Sequence, residues 1–174
     1  MRRFLLLVTL LPVTAHAQLR SSPDLGIAEG RCRAGEPGPA FLVTAVGLKD
    51  RQGRMRLEVY PPDDDDFLED DNVLLNEGKT FRRADTAVPQ KGPVTICIHI
   101  PGPGTYTLSL LHDRDSNRKF GLSIDGIGFP NNPRLRFSKP AAAAVRVTAS
   151  AGITPLTIRM NYRHGLLSFG PIGN

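Results

Sequence analysis

Residues Val94 to Leu111 read VTICIHI, then PGPG, then TYTLSLL. In the first run Val94, Ile96, Ile98 and Ile100 alternate with Thr95, Cys97 and His99. In the second, Tyr106, Leu108 and Leu110 alternate with Thr105, Thr107 and Ser109. Alternation with period two marks strands that bury one face, and the Pro-Gly-Pro-Gly junction stops the first strand before the second begins. Upstream, Met55, Leu57 and Val59 alternate with Arg54, Arg56 and Glu58 up to Tyr60, a further half-buried strand. Phe41 to Leu48 is apolar on both faces, and the intervening Asp50-Arg51-Gln52-Gly53 reads as a hairpin turn that pairs the two runs. A weaker strand is expected within Thr80 to Val88. Val145 and Val147 form a short one, and after Gly152 the set Leu156, Ile158, Met160 and Tyr162 makes the last alternating face.

About seven short strands and no convincing amphipathic helix predict an all-β, antiparallel β-sandwich of immunoglobulin-like or prealbumin-like kind, with a closed barrel as the alternative. A length of 174 residues allows one such core. The abundance of turn residues, 17 Gly and 15 Pro, fits many short strands and has no collagen period.

The chain opens on Met1-Arg2-Arg3, an apolar run from Phe4 to Val13, and Ala15-His16-Ala17. This is the pattern of a signal peptide over residues 1–17. Ten apolar residues are too few to span a bilayer, so no transmembrane segment is expected in the mature chain. Residues 18–39 lack periodicity and read as a flexible N-terminal arm, residues 40–163 as the sandwich, and residues 164–174 as a loose C-terminal tail or an added edge strand. Removal of Arg2 and Arg3 takes the formal charge from +5 to +3, and no Lys/Arg cluster suggests nucleic acid. Cys32 and Cys97, an even pair in an exported chain, predict one disulfide. Cys97 points away from the Ile96 and Ile98 face, so the bridge should pin the arm across the outside of a sheet.

Two loops carry the chemistry. Asp63 to Asp71 holds seven carboxylates in nine residues, which reads as a solvated acidic loop or a single helical turn, and repulsion on that scale either melts the loop or calls for a cation. His112 to Lys119 places Asp113, Asp115 and Asn117 at alternate positions, as the oxygen ligands of calcium loops are placed. Arg118 occupies the position where an EF-hand has Gly, and no twelfth-position Glu follows, so a hydrogen-bonded Asx turn competes with calcium there. His112, in phase with Tyr106, Leu108 and Leu110, sits at the mouth of the core. It is expected to organise the Asp113–Lys119 loop and the Asn131-Asn132 turn by hydrogen bonds. Nothing supports a serine nucleophile elbow or a zinc set.

Gly104-Thr105-Tyr106, His112-Asp113, Asn117-x-Lys119 and Gly126-x-Gly128-Phe129-x-Asn131-Asn132 occur in that order. Together they resemble the domain of unknown function 2141 family of small exported bacterial proteins, over about Phe41 to Tyr162. The chain departs from the family pattern at Asp115 and Ser116, at Ile127 and Pro130, and in lacking the Asp that generally follows Lys119. The resemblance implies a secreted or periplasmic β-sandwich and implies no reaction. The expectation is therefore a non-catalytic envelope or secreted binding or structural module working through loops 112–119 and 126–132. Its contact residues would be His112, Asp113, Asp115, Asn117, Asn131 and Asn132. It would have no cofactor unless Asp113, Asp115 and Asn117 take calcium, and its partner would be an envelope component or small ligand. A hydrolase of envelope polymers acting through loop carboxylates is the alternative.

Overall fold

The computed structural model describes residues 17–33, 35–136, 138–166 and 168–173. The leader expected at residues 1–17 therefore lies, except for Ala17, outside the described residues. Among the described residues ten strands form in chain order: β1 (Ala40–Val46), β2 (Arg54–Tyr60), β3 (Arg82–Ala87), β4 (Val94–His99), β5 (Gly104–Asp113), β6 (Gly126–Gly128), β7 (Arg146–Ala149), β8 (Ile153–Arg159), β9 (Asn161–Arg163) and β10 (Phe169–Gly170). Two short helices, α1 (Asp71–Asn76) and α2 (Ala142–Val145), interrupt them. The strands build two sheets, as the alternation predicts: a small one in the order β4-β1-β8 and a large one in the order β10-β9-β6-β5-β2-β3, with β7 also on β5.

The expected hairpin between Phe41–Leu48 and Arg54–Tyr60 does not form. β1 pairs antiparallel with β4 and parallel with β8, while β2 pairs with β3 and β5. Asp50 to Gly53 is indeed a tight turn, with the Gln52 N–H donating to Asp50 Oδ1 at 3.1 Å, but it carries the chain from one sheet to the other. Alternation decides which face of a strand is buried and leaves its partner open. β1 buries Phe41, Val43 and Ala45 in the core, and Leu42, Thr44 and Val46 on its other face are half-buried. The run from Ile153 to Arg163 is likewise divided: β8 belongs to the small sheet, and from Asn161 onward β9 pairs with β6 in the large one.

Inner faces meet in one core, with Phe41, Val43, Ile96, Ile98 and Ile158 from the small sheet against Met55, Leu57, Val59, Leu108 and Leu110 from the large. A second cluster, which the alternation did not reveal, packs Phe67, Leu74, Phe81, Phe129, Leu135 and Val145 around Tyr60. Phe67 supplies its centre and is fully buried, which explains why the acidic loop folds back instead of melting. Three of the loop's carboxylates reach partners outside it: Asp66 with Lys79 Nζ at 2.7 Å, Asp71 with Arg83 at 3.1 Å, and Asp64 with the Ala142 N–H at 2.6 Å.

The N-terminal arm is docked, in contrast to the flexible segment expected. The Arg83 N–H donates to the Gly26 carbonyl (2.8 Å) and the Ala28 N–H to the Arg83 carbonyl (2.7 Å), so the arm adds a parallel bridge at the edge of β3. It then crosses to β4, where the Cys97 N–H donates to Gly30 and the Cys32–Cys97 disulfide closes. The bridge lies outside the main core, as the phase of Cys97 requires. The C-terminal segment also joins the sheet, β10 pairing with β9 through Phe169↔Arg163 and Gly170↔Tyr162. No helix among the described residues is long and apolar enough to cross a membrane.

The disulfide closes a separation of 65 residues, for which chain entropy gives about 4 kcal/mol of stabilisation. The paired Cys32→Ala/Cys97→Ala variant is expected to lose 2–4 kcal/mol by urea unfolding, as typical disulfides do. It should also expose residues 20–36 to limited proteolysis while the sandwich stays resistant.

Candidate functional site

Alternation along β5 sends His112 to the core face and Asp113 to the opposite face. His112 is opposite Met55 on one side and Gly126 on the other, and Gly126 is in turn opposite Tyr162. His112 and Tyr162 thus lie on the same face two strands apart, about 10 Å at ordinary strand spacing. They nevertheless meet: the Tyr162 hydroxyl is 2.6 Å from His112 Nδ1. The tyrosine ring reaches it by lying over Gly126, where an added Cβ would stand 2.2 Å from the ring. Gly128 is under the same restriction against Ile158 and the Arg159 carbonyl. The Gly-x-Gly spacing of this strand is therefore steric.

His112 Nε2 lies 2.8 Å from the Gln52 carbonyl, an acceptor only, so Nε2 carries the proton and Nδ1 accepts from the Tyr162 hydroxyl. The residue is fully buried, and burial holds its pKa below the usual imidazole value. Burial likewise pushes the Tyr162 hydroxyl up to about 12. The imidazole is thus neutral with both nitrogens engaged. Its partners are the sheet-crossing turn and β9, in place of the expected Asp113–Lys119 loop and Asn131-Asn132 turn. Asp50, in that same turn, pairs with the Arg114 guanidinium, a contact that draws its carboxyl below the ordinary range.

The loop from Asp113 to Asp125 organises itself. Asp113 is 1% exposed and accepts from the Asn117 N–H at 3.1 Å and the Arg118 N–H at 2.9 Å. Asp115 accepts from the Asn117 N–H and side-chain amide, and Asn117 Oδ1 accepts from the Lys119 N–H at 2.7 Å. Ser116 and Arg118 take positive φ to make the turn. At its far end Asp125, also 1% exposed, accepts from Arg114 N–H (2.8 Å) and Gly121 N–H (2.7 Å).

Carboxylate oxygens of Asp113, Asp115 and Asp125 all come within 4.8 Å of one another. Burial, with Asp115 and Asp125 beside it, raises the Asp113 carboxyl against the pull of its two N–H donors. Of the neighbouring cations, Arg114 pairs with Asp50 and Arg118 with Asp24, while Arg54 stands opposite Asp113 on β2. Asp125 is the member that sequence reasoning missed, because its partnership depends on β6 returning alongside β5. Its only local signal is its place immediately before Gly126.

The other expected contact residues face inward to the backbone. The Asn131 amide donates to the Ala144 and Arg146 carbonyls at 3.2 and 3.0 Å. Asn132 Oδ1 accepts from the Arg159 N–H at 2.6 Å, and its amide reaches the Thr157 carbonyl at 3.4 Å. Both adopt positive φ.

Residues 43–156 match the family model described as an uncharacterized protein conserved in bacteria (DUF2141), and the chain belongs to that family. No curated protein and no solved structure matches the chain.

Gly126→Ala is expected to cost about 2–3 kcal/mol as an overpacking change. The nitrogen resonances of His112 should then show the loss of the Tyr162 contact. Because the folded-state pKa of His112 is depressed, the stability it carries is complete above pH 6.5 and is lost as pH falls from there through the lower folded value. With chelator present, urea midpoints should decline across that window in the wild type, and the decline should be shallower in His112→Asn.

Proposed function

We propose that this family member is an exported, non-catalytic β-sandwich module whose working end is the β5–β6 loop, and that this loop holds a hard divalent cation of the calcium kind. The observation that carries the reading is the convergence of Asp113, Asp115 and Asp125 without an ion pair from an arginine or lysine side chain to the group among the described residues. Each oxygen that accepts one N–H keeps a second lone pair, so the existing hydrogen bonds orient the carboxylates without exhausting them. Calcium takes six to eight oxygens, so water and loop carbonyls would complete the shell. A cation there would offset both the burial and the neighbouring Asp115 and Asp125 that raise the Asp113 carboxyl. Export follows from the leader pattern at residues 1–17 and suits the disulfide.

Binding is favoured over the hydrolase reading by how the carboxylates are used. Those of the acidic loop serve Lys79, Arg83 and a helix N–H, and the one histidine buried beside the site has both nitrogens occupied. An acid or base in glycoside hydrolysis must instead face the substrate across a cleft.

Calorimetric titration of the oxidised mature protein should give one calcium per chain. At calcium a hundredfold above Kd, unfolding should be shifted by about 2.7 kcal/mol, and chelator should reverse the shift. Asp115 is exposed and outside the core, so Asp115→Asn should leave the apo protein as stable as wild type while weakening calcium binding at least tenfold. Absence of a calcium shift in the wild type, or an unchanged affinity in the variant, would overturn the reading.

A further inference from the structure

All 17 carboxylate side chains precede Gly126, whereas residues 126–174 carry Arg134, Arg136, Lys139, Arg146, Arg159 and Arg163 and no Asp or Glu. The fold gathers part of this basic segment into a groove of about 800 Å³ between residues 132–136 and the β8–β10 region. Arg134 and Arg136 come from one wall, Arg159 and His164 from the other. Burial runs exposed, buried, exposed over Arg134, Leu135 and Arg136, so Leu135 is held in the second core cluster while both arginines remain in solvent. The walls are fixed to each other, because Asn132 accepts the Arg159 N–H and Asn161 donates to the Ile127 and Arg159 carbonyls.

Arg33, Arg56, Arg83, Arg114 and Arg118 each meet a carboxylate. Among the described residues, no ion pair includes Arg134, Arg136, Arg159 or His164. Guanidinium groups that line one groove without a carboxylate partner among the described residues present paired N–H donors that match a phosphate group. Leu135 and Phe169 add apolar surface to the same groove, and they also line an adjoining cleft of about 290 Å³ with Phe120 and Leu122.

We propose that this groove binds a phosphate monoester, with the phosphate between Arg134, Arg136 and Arg159 and the organic body on Leu135 and Phe169. The proposal is independent of the cation loop, since none of these residues belongs to it. A soluble monoester and the headgroup of phosphatidic acid present the same chemistry, and the apolar cleft beside the groove admits the second.

The test uses the mature oxidised protein in chelator. Glycerol phosphate is titrated by calorimetry, and co-sedimentation is measured with vesicles of phosphatidylcholine alone or with phosphatidic acid. Saturable binding to either phosphate source, weakened at least tenfold in Arg134→Ala/Arg159→Ala, supports the groove. Binding to glycerol phosphate assigns a soluble ester, and binding only to phosphatidic acid vesicles assigns a headgroup. A control variant, Arg20→Ala/Lys91→Ala, removes equal charge from exposed positions outside the groove and should bind as wild type. Absence of binding to both sources, wild-type affinity in the groove variant, or equal loss in the control would overturn the proposal.

Discussion

A neutral imidazole held between a tyrosine hydroxyl and a backbone carbonyl ties together parts of the chain that no local pairing would join. His112 contacts Gln52 in the crossing between the two sheets and Tyr162 on β9, so one side chain fixes β5 against both the crossing from β1 to β2 and its distant neighbour β9. The arrangement requires Gly126 between them, because the tyrosine ring occupies the space of any side chain there. A buried hydrogen-bonding group left without a partner costs about 1–3 kcal/mol. The imidazole, the hydroxyl and the glycine are therefore one unit, and loss of any member exposes the cost of the others.

The outer face of the large sheet is held by a different logic. Arg83 is nearly buried, donates to Glu58 and Asp71, and accepts the arm by donating to the Ser22, Pro23 and Leu25 carbonyls. Arg56 pairs with Asp85 and also reaches the Arg118 carbonyl of the β5–β6 loop. Buried charges are tolerated only when paired and hydrogen-bonded. Here the pairing serves to dock the arm, α1 and the loop onto a sheet whose outer residues would otherwise read as ordinary solvated positions.

The strands, the single disulfide and the outward phase of Cys97 were legible because alternation and cysteine count are local signals. The sheet partners were not. Asp50 to Gly53 has hairpin residues, yet His112 and Arg114, both more than fifty residues away in sequence, hold it as a crossing between sheets. In the site, Asp113 and Asp115 announced themselves by spacing within one turn. Asp125 joins them only through β5–β6 pairing, a relation absent from the sequence window. Asn117, legible as a ligand by spacing, turns its oxygen to Lys119. The second aromatic cluster was hidden by its setting, since Phe67 lies inside a run of acids.

The three-residue strand β6 connects these parts. Its preceding residue, Asp125, completes the carboxylate group, and Gly126 lets Tyr162 pass to His112. Beyond it, Phe129 enters the second core and Asn131 and Asn132 fasten the segment that becomes one wall of the basic groove. A strand this short contributes few ladder bonds of its own, so its position depends on neighbours on both sides: β5 through Leu110 and His112, β9 through Asn161 and Tyr162. Displacing β6 would therefore move the β5–β6 loop and the basic wall together. The paired glycines suit this placement because strand, tyrosine ring and β8 backbone approach more closely than any side chain would allow.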